Sequence, residues 1–449
     1  MTAAPPTSFH FPEGFLFGSA TSATQIEGGR VATDWADFAR RPGRVVGGDT
    51  PDPACESWDR WPEDVALQRA LGLNAYRFSI EWARVEPSPG RFDSEALDRY
   101  RAMLAALLDA GIEPMVTLHH FSLPLWQARR GGLLDRDLPS LLERYTRTVV
   151  AALGDLCRRW VTINEPSVAA AHGFVLGIWP PGETSLVKAL RAQHNLLAAH
   201  VAMYRAIKEH QGDASSVGVA HHLRLLEPER PRRFADVLGA RLLRWLFNDG
   251  FVRSLCEGTH YGPFGMGLAD EAKGAHDFLG LNYYTRDLVG FDPGRPGDVY
   301  LPRSVAPGAE VNDLGWEVYP EGLGRLIREW SARSGRPILV TENGIADAAD
   351  RQRPSFLVRH LAEVSRAIAD GIDVRGYYHW SLLDNFEWAE GYSARFGLHE
   401  VDFTTQVRTA RPSALLYARI AGSRSIDSET WRRHGNPPDD ARRAPGRAS

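Results

Sequence analysis

The chain has 449 residues, 43% hydrophobic and 24% charged, with a net charge of −4. That balance is ordinary for a globular protein large enough to bury its own core, and it gives no electrostatic case for nucleic acid or an anionic membrane as partner. The three cysteines, Cys55, Cys157 and Cys256, are dispersed and odd in number, which argues against a disulfide framework or zinc cluster and for reduced thiols in a cytoplasmic protein.

At the start of the chain, Met1-Thr2-Ala3-Ala4-Pro5-Pro6 lacks a basic segment followed by an apolar one, so no secretory signal is expected. No apolar run approaches the ~20 residues of a membrane span. Short apolar runs then alternate with helical patterns. Residues 15–20, 75–80, 113–118, 160–164, 217–220, 278–282, 338–341 and 376–380 read as buried parallel strands, most bounded by Gly, Pro or Asn. Helical periodicity covers 61–71 (beside Pro62), 94–110, 138–152, 184–209, 322–334 and 355–370. Eight strands, each followed by a helix or long loop, predict an α/β fold: a single (β/α)8 TIM barrel with extended βα loops. A doubly wound open sheet is the alternative, and the absence of GxGxxG and GxxxxGK[ST] weakens its nucleotide-binding versions. Neither a repeat nor a Gly/Ser linker divides residues 1–449, which read as one catalytic domain with an ordered core of about 9–425. Residues 292–313 read as a surface loop, and the charged, Pro-rich tail 427–449 as flexible.

Barrel chemistry sits at the carboxyl ends of the strands. The second strand carries Arg77; the third ends at His119-His120 and the fourth at Asn164-Glu165-Pro166. The sixth ends at Asn282-Tyr283-Tyr284, the seventh at Glu342-Asn343-Gly344, and the eighth at Trp380 ahead of Asp384-Asn385-Phe386-Glu387-Trp388. Glu165 and Glu342 each follow an apolar strand, where a charge is costly without partners or a task. Pairing with a strand-end arginine is the plain explanation for one such glutamate. For two, glycosidic cleavage fits: one carboxyl protonates the leaving oxygen and the other, charged, meets the developing oxocarbenium ion. Aromatic faces stack on the C–H faces of sugars, and Trp126, Trp179, Trp316, Trp380 and Trp388 sit mostly beside polar residues, Gly or Pro. Structural burial is nevertheless the commoner use of tryptophan. Neighbouring strand residues point to opposite faces, so neither His119-His120 nor His221-His222 chelates one ion, and one member of each doublet reads as a satisfied core histidine. No metal or cofactor is expected.

Five segments, in order, resemble those of glycoside hydrolase family 1, the β-glucosidase family, over about 11–420. They are residues 15–28 (FLFGSATSATQIEG), Thr162-Ile163-Asn164-Glu165-Pro166, Val340-Thr341-Glu342-Asn343-Gly344, residues 380–388 (WSLLDNFEW), and Phe396-Gly397-Leu398 with Val401-Asp402-Phe403. The resemblance implies a retaining β-glycoside hydrolase acting exo on unphosphorylated β-D-glucosides, extending to galactosides and fucosides. It implies Glu165 as acid/base, Glu342 as nucleophile, and Tyr284 and Arg77 as partners favouring charged Glu342. Asn164 and Asn282 would belong to the substrate site, Asn164 on the 2-hydroxyl. Gln25, His120, Glu387 and Trp388 would hold the other hydroxyls, and Trp380, joined to Ser381 by a cis peptide, would lie under the ring. Trp316 and Trp179 would stand at the aglycone mouth. The implied partner is a small-molecule β-glycoside or oligosaccharide; the oligomeric state stays open. The carboxyls should lie roughly 5–5.5 Å apart. Phe121 stands where the family most often has Trp, which removes one donor worth about 1 kcal/mol. Thr24 replaces a larger residue and is expected to leave room beside Gln25. Acidic Glu387 with Ser393 departs from the 6-phosphoglycosidase pattern. A transglycosylase on the same site, and a catalytically silent sugar-binding barrel, are the alternatives.

Overall fold

The computed structural model describes residues 8–259, 268–295, 300–439 and 441. The eight apolar runs become strands β1 (Leu16–Ala20), β2 (Ala75–Ser79), β3 (Glu113–His119), β4 (Arg159–Asn164), β5 (Ser216–His222), β6 (Phe278–Tyr283), β7 (Ile338–Asn343) and β8 (Val374–Trp380). All neighbours pair in parallel, and β8 pairs with β1 to close the barrel. The strands are buried on both faces, which is why they read as continuous apolar runs rather than alternating ones.

Helices α1 (Ser57–Ala70), α2 (Ser94–Asp109), α3 (Leu138–Leu153), α4 (Leu186–Gln211), α5 (Gly250–Glu257), α6 (Pro320–Ser334), α7 (Arg353–Ala369) and α8 (Pro412–Ser423) follow the strands in turn. In α3 the buried residues Leu138, Leu141, Leu142, Tyr145, Val149 and Leu153 recur at helical spacing and form its inner stripe. No helix among the described residues is long and apolar enough to cross a membrane.

Several expectations need correction. Helix α1 starts at Ser57, not 61, so Pro62 lies inside it. Proline cannot donate to the carbonyl of Trp58, and Arg99 Nη1 donates to that oxygen instead at 2.9 Å. The tail is not flexible from 427: Ser428–His434 is a helix, N-capped by Asp427, with Trp431 packed 4.8 Å from Phe9 between ring centroids. Residues 440 and 442–449 lie outside the described residues. The segment 292–313 is not all loop, since Arg303–Ser304 pairs with Arg286–Val289, which pairs with Leu225–Pro228. This small sheet grows from the carboxyl ends of β5 and β6. Its pairings span tens of residues, which local patterning does not reveal. Residues 296–299 of that segment lie outside the described residues.

Candidate active site

The strand ends converge on one cavity lined by His120, Glu165, Tyr284, Trp316, Glu342, Trp380, Glu387 and Trp388, all named from the sequence. Arg77, Asn164, Asn282 and Gln25 are buried beneath and beside that lining. Glu342 sits within β7, one residue before its end. Arg77 Nη1 donates to its Oε1 at 2.6 Å, and Tyr284 OH donates to its Oε2 at 2.7 Å. Arg77 also donates from Nη2 to Asn164 Oδ1 at 2.7 Å and from Nε to Thr117 Oγ1 at 3.0 Å. Such a charge-assisted set fixes the guanidinium and holds the carboxylate from both sides.

Glu165 terminates β4 in a left-handed conformation, φ 46°. The turn lets Pro166 open the helix Pro166–Phe174 at a position that needs no N–H donor. A non-glycine residue in this region carries strain, and such strain clusters at functional sites. Asn282 Nδ2 donates to Glu165 Oε1 at 2.7 Å and to Asn164 Oδ1 at 3.1 Å. Glu165, Asn282, Asn164, Arg77 and Glu342 therefore form one hydrogen-bonded bridge between carboxyls 177 positions apart in the chain. Burial pushes both carboxyls up, each to about 7. Arg77 opposes this most strongly at Glu342, whereas the largest opposing influence on Glu165 is the Asn282 amide. The partners thus favour the charge on Glu342 and the remaining proton on Glu165.

The third carboxyl of the cavity, half-buried Glu387, is pushed to about 8 by desolvation, against a hydrogen bond from the Trp380 indole. Gln25 Nε2 reaches Glu387 Oε2 at 3.3 Å and Asn385 Oδ1 at 3.0 Å. Asn164 Nδ2 lies 3.1 Å from His120 Nε2, and His120 Nδ1 has no protein partner. With Asn164 donating, His120 carries its hydrogen on Nδ1, a free donor on a cavity-lining ring. The rings of His120, Trp380 and Trp388 are nearly parallel, within 19° of His120. The Trp380–Ser381 peptide is cis. A Cβ on Gly344 would lie 1.9 Å from the Trp380 carbonyl oxygen, so only glycine lets the chain after Glu342 pass this close to β8.

Two expectations fail here. Thr24 does not open space beside Gln25 in this cavity; it turns away and donates to Glu81 Oε2 at 2.6 Å, because neighbouring residues of the turn Ala23–Ile26 diverge. His119 is a core histidine but not a satisfied one, since both ring nitrogens lack partners. In the other doublet, His221 Nε2 meets Phe247 O at 3.3 Å while His222 faces the cavity. His222 was missed as a site residue. So were Arg224, His172 and Phe396, which also line the cavity. The signal for His222 was available: it ends β5, the one inner strand end besides β1 for which no candidate was named.

The model of Glycosyl hydrolase family 1 matches residues 7–426. This chain belongs to that family. As a family 1 glycosyl hydrolase it is an O-glycosyl hydrolase on a TIM barrel. "Beta-glucosidase A" of Thermotoga maritima is 35% identical over 447 residues, covering 93% of this chain and 99% of the relative. A "Bifunctional beta-D-glucosidase/beta-D-fucosidase" of Bifidobacterium breve is 36% identical, with 92% and 99% covered. The solved structure of a beta-glucosidase from Thermotoga maritima in complex with glucoimidazole superposes with a TM-score of 0.86 at 34% identity, covering 92% of this chain and 99% of that one.

Proposed function

We propose that this family 1 glycosyl hydrolase cleaves unphosphorylated β-D-glucosides with net retention, in two displacements. Glu342 attacks the anomeric carbon as the bond to the leaving oxygen breaks, and Glu165 delivers its proton to that oxygen. Glu165, now charged, removes a proton from water; the water attacks the glycosyl ester and releases Glu342. The observation that carries this reading is the bridge from Glu165 through Asn282, Asn164 and Arg77 to Glu342, in which Glu342 meets a guanidinium directly and Glu165 meets an amide. Asn164 lies at the centre of the bridge, suited to the 2-hydroxyl. Trp380 offers its face beside it, and Glu387 with Gln25, His120 and Trp388 suits the remaining hydroxyls. Glu387 in the cavity disfavours a 6-phosphate. Relatives named for glucosides and fucosides support a substrate range beyond glucose. Free thiols at Cys55, Cys157 and Cys256 support a cytoplasmic setting.

The test is the anomer of the first product, followed by NMR during hydrolysis of aryl β-glucosides. The β-anomer is expected to appear first and then mutarotate. Initial release of the α-anomer overturns the double displacement.

A further inference from the structure

The end of β5 brings a second polar chain to Glu165. His222 Nδ1 stands 3.4 Å from Glu165 Oε1, the oxygen that also accepts from Asn282. On its other side, Arg224 Nε donates to His222 Nε2 at 3.3 Å, and Arg224 Nη1 donates to Asp287 Oδ2 at 2.7 Å. All four side chains are nearly buried.

An arginine Nε–H has no acceptor capacity, so the ring nitrogen it faces must be unprotonated. A neutral imidazole then carries its single hydrogen on the other nitrogen, here Nδ1, the atom 3.4 Å from Glu165 Oε1. The ring also stays neutral: burial and the Arg224 charge hold it well below the usual histidine range. Arg303 acts in the same direction and Asp287 against it. Tyr284 packs on the ring at 5.5 Å, and the adjacent His221 and nearby His172 are themselves held neutral by burial.

We infer that His222 and Arg224 are positioning residues that fix which oxygen of Glu165 holds the transferable proton. Asn282 donates to Oε1 and the His222 N–H lies 3.4 Å from it, so a hydrogen on that oxygen would face donors only and resides on Oε2. Asp287 pairs with Arg224 and offsets part of its charge, so the arginine acts on Glu165 chiefly by fixing the ring between them. The same N–H of His222 stabilises Glu165 once it has given up its proton. The distance of 3.4 Å in the unliganded site is of the kind that tightens when substrate fills the cavity. This inference rests on the acid/base role proposed for Glu165.

The test compares full-length His222→Phe, His222→Asn and Arg224→Met with the parent and with Glu165→Ala, on aryl β-glucosides of graded leaving-group acidity across pH. His222→Phe removes a donor to the carboxylate. The basic limb of kcat/KM is expected to move up by roughly half to one pH unit. His222→Asn places an amide N–H near the Nδ1 position and is expected to restore the parent limb. Arg224→Met frees the tautomer, and turnover of the least acidic leaving groups is expected to fall about tenfold, with the deficit shrinking as the leaving group becomes more acidic. If both His222→Phe and Arg224→Met keep the parent's limb and leaving-group slope while Glu165→Ala steepens that slope, the positioning role is refuted and the role of Glu165 stands. Should Glu165→Ala itself leave the slope unchanged, the acid/base reading fails, and this inference with it.

Discussion

Two arginines serve the cavity, and they do so differently. Arg77, fully buried on β2, donates from all three guanidinium nitrogens, and one of those bonds goes directly to Glu342. Arg224, just beyond β5, meets Asp287 and His222, and the ring alone stands between it and Glu165. A guanidinium touching a carboxylate decides whether that carboxylate is charged. A guanidinium paired with another acid and set behind a ring acts mainly by fixing how its neighbours point. The floor of the cavity is built on the first principle and its β5 side on the second, so a guanidinium in contact favours the charge on Glu342 but not on Glu165.

The largest effect expected of any change at the floor is that of Glu342→Ala. It removes the proposed nucleophile, and the loss of kcat should be on the order of 10⁵-fold. Activity of an aryl β-glucoside within tenfold of the parent would assign the charge on the floor to some other task. Next in size is a direct contest between the arginines. Arg77→Met strands Glu342 and Asn164 in a buried setting, and should lower unfolding stability by about 3–5 kcal/mol. Arg224→Met strands Asp287, whose side chain is 13% exposed to water, and should lower it by less, about 2 kcal/mol. Denaturant melts of the two variants measure the difference. Equal losses would mean that the two arginines do the same work, and the contrast would collapse.

The contrast also explains what the sequence discloses. The floor was legible because each member stands at the end of an apolar run: Arg77 within 75–80, Asn164-Glu165 after 160–164, Asn282 closing 278–282, Glu342 after 338–341. A strand buried on both faces announces itself, and so does the polar residue that interrupts it. The β5 side was not legible in the same way. That strand runs two residues beyond 220, through His221-His222, because hydrogen bonding to β6 sustains it where apolar character has ended. Reading the doublet as no chelate, with one core member, leaves its inward member without a task. Arg224 gains its meaning from Asp287, 63 positions away on another strand of the small sheet. Thr24 shows the converse limit: its position beside Gln25 in sequence said nothing of direction, which the turn sets. Likewise, the start of α1 was hidden by Pro62, whose missing hydrogen bond Arg99 makes harmless from α2.

The last expected effect is one of stability against pH, and it isolates the carboxyl that lacks a guanidinium in contact. Burial raises Glu165 to about 7 from its ordinary value of 4.5. Below pH 4.5 the carboxyl is protonated in both folded and unfolded chains and contributes nothing. Between 4.5 and 7 the unfolded chain ionises while the folded one keeps its proton, so the folded state binds more protons and stability falls as pH rises. Glu165→Gln removes that penalty and retains an acceptor for Asn282. It should therefore raise stability by on the order of 1–3 kcal/mol at pH 8 and by nothing measurable at pH 4. Glu342→Gln, by contrast, strands the Arg77 charge and should gain less or lose outright at pH 8. Melting both variants at the two pH values separates a carboxyl held by amides from one held by an arginine; a gain for Glu342→Gln at least equal to that for Glu165→Gln would mean that Arg77 does not favour the charge on its partner.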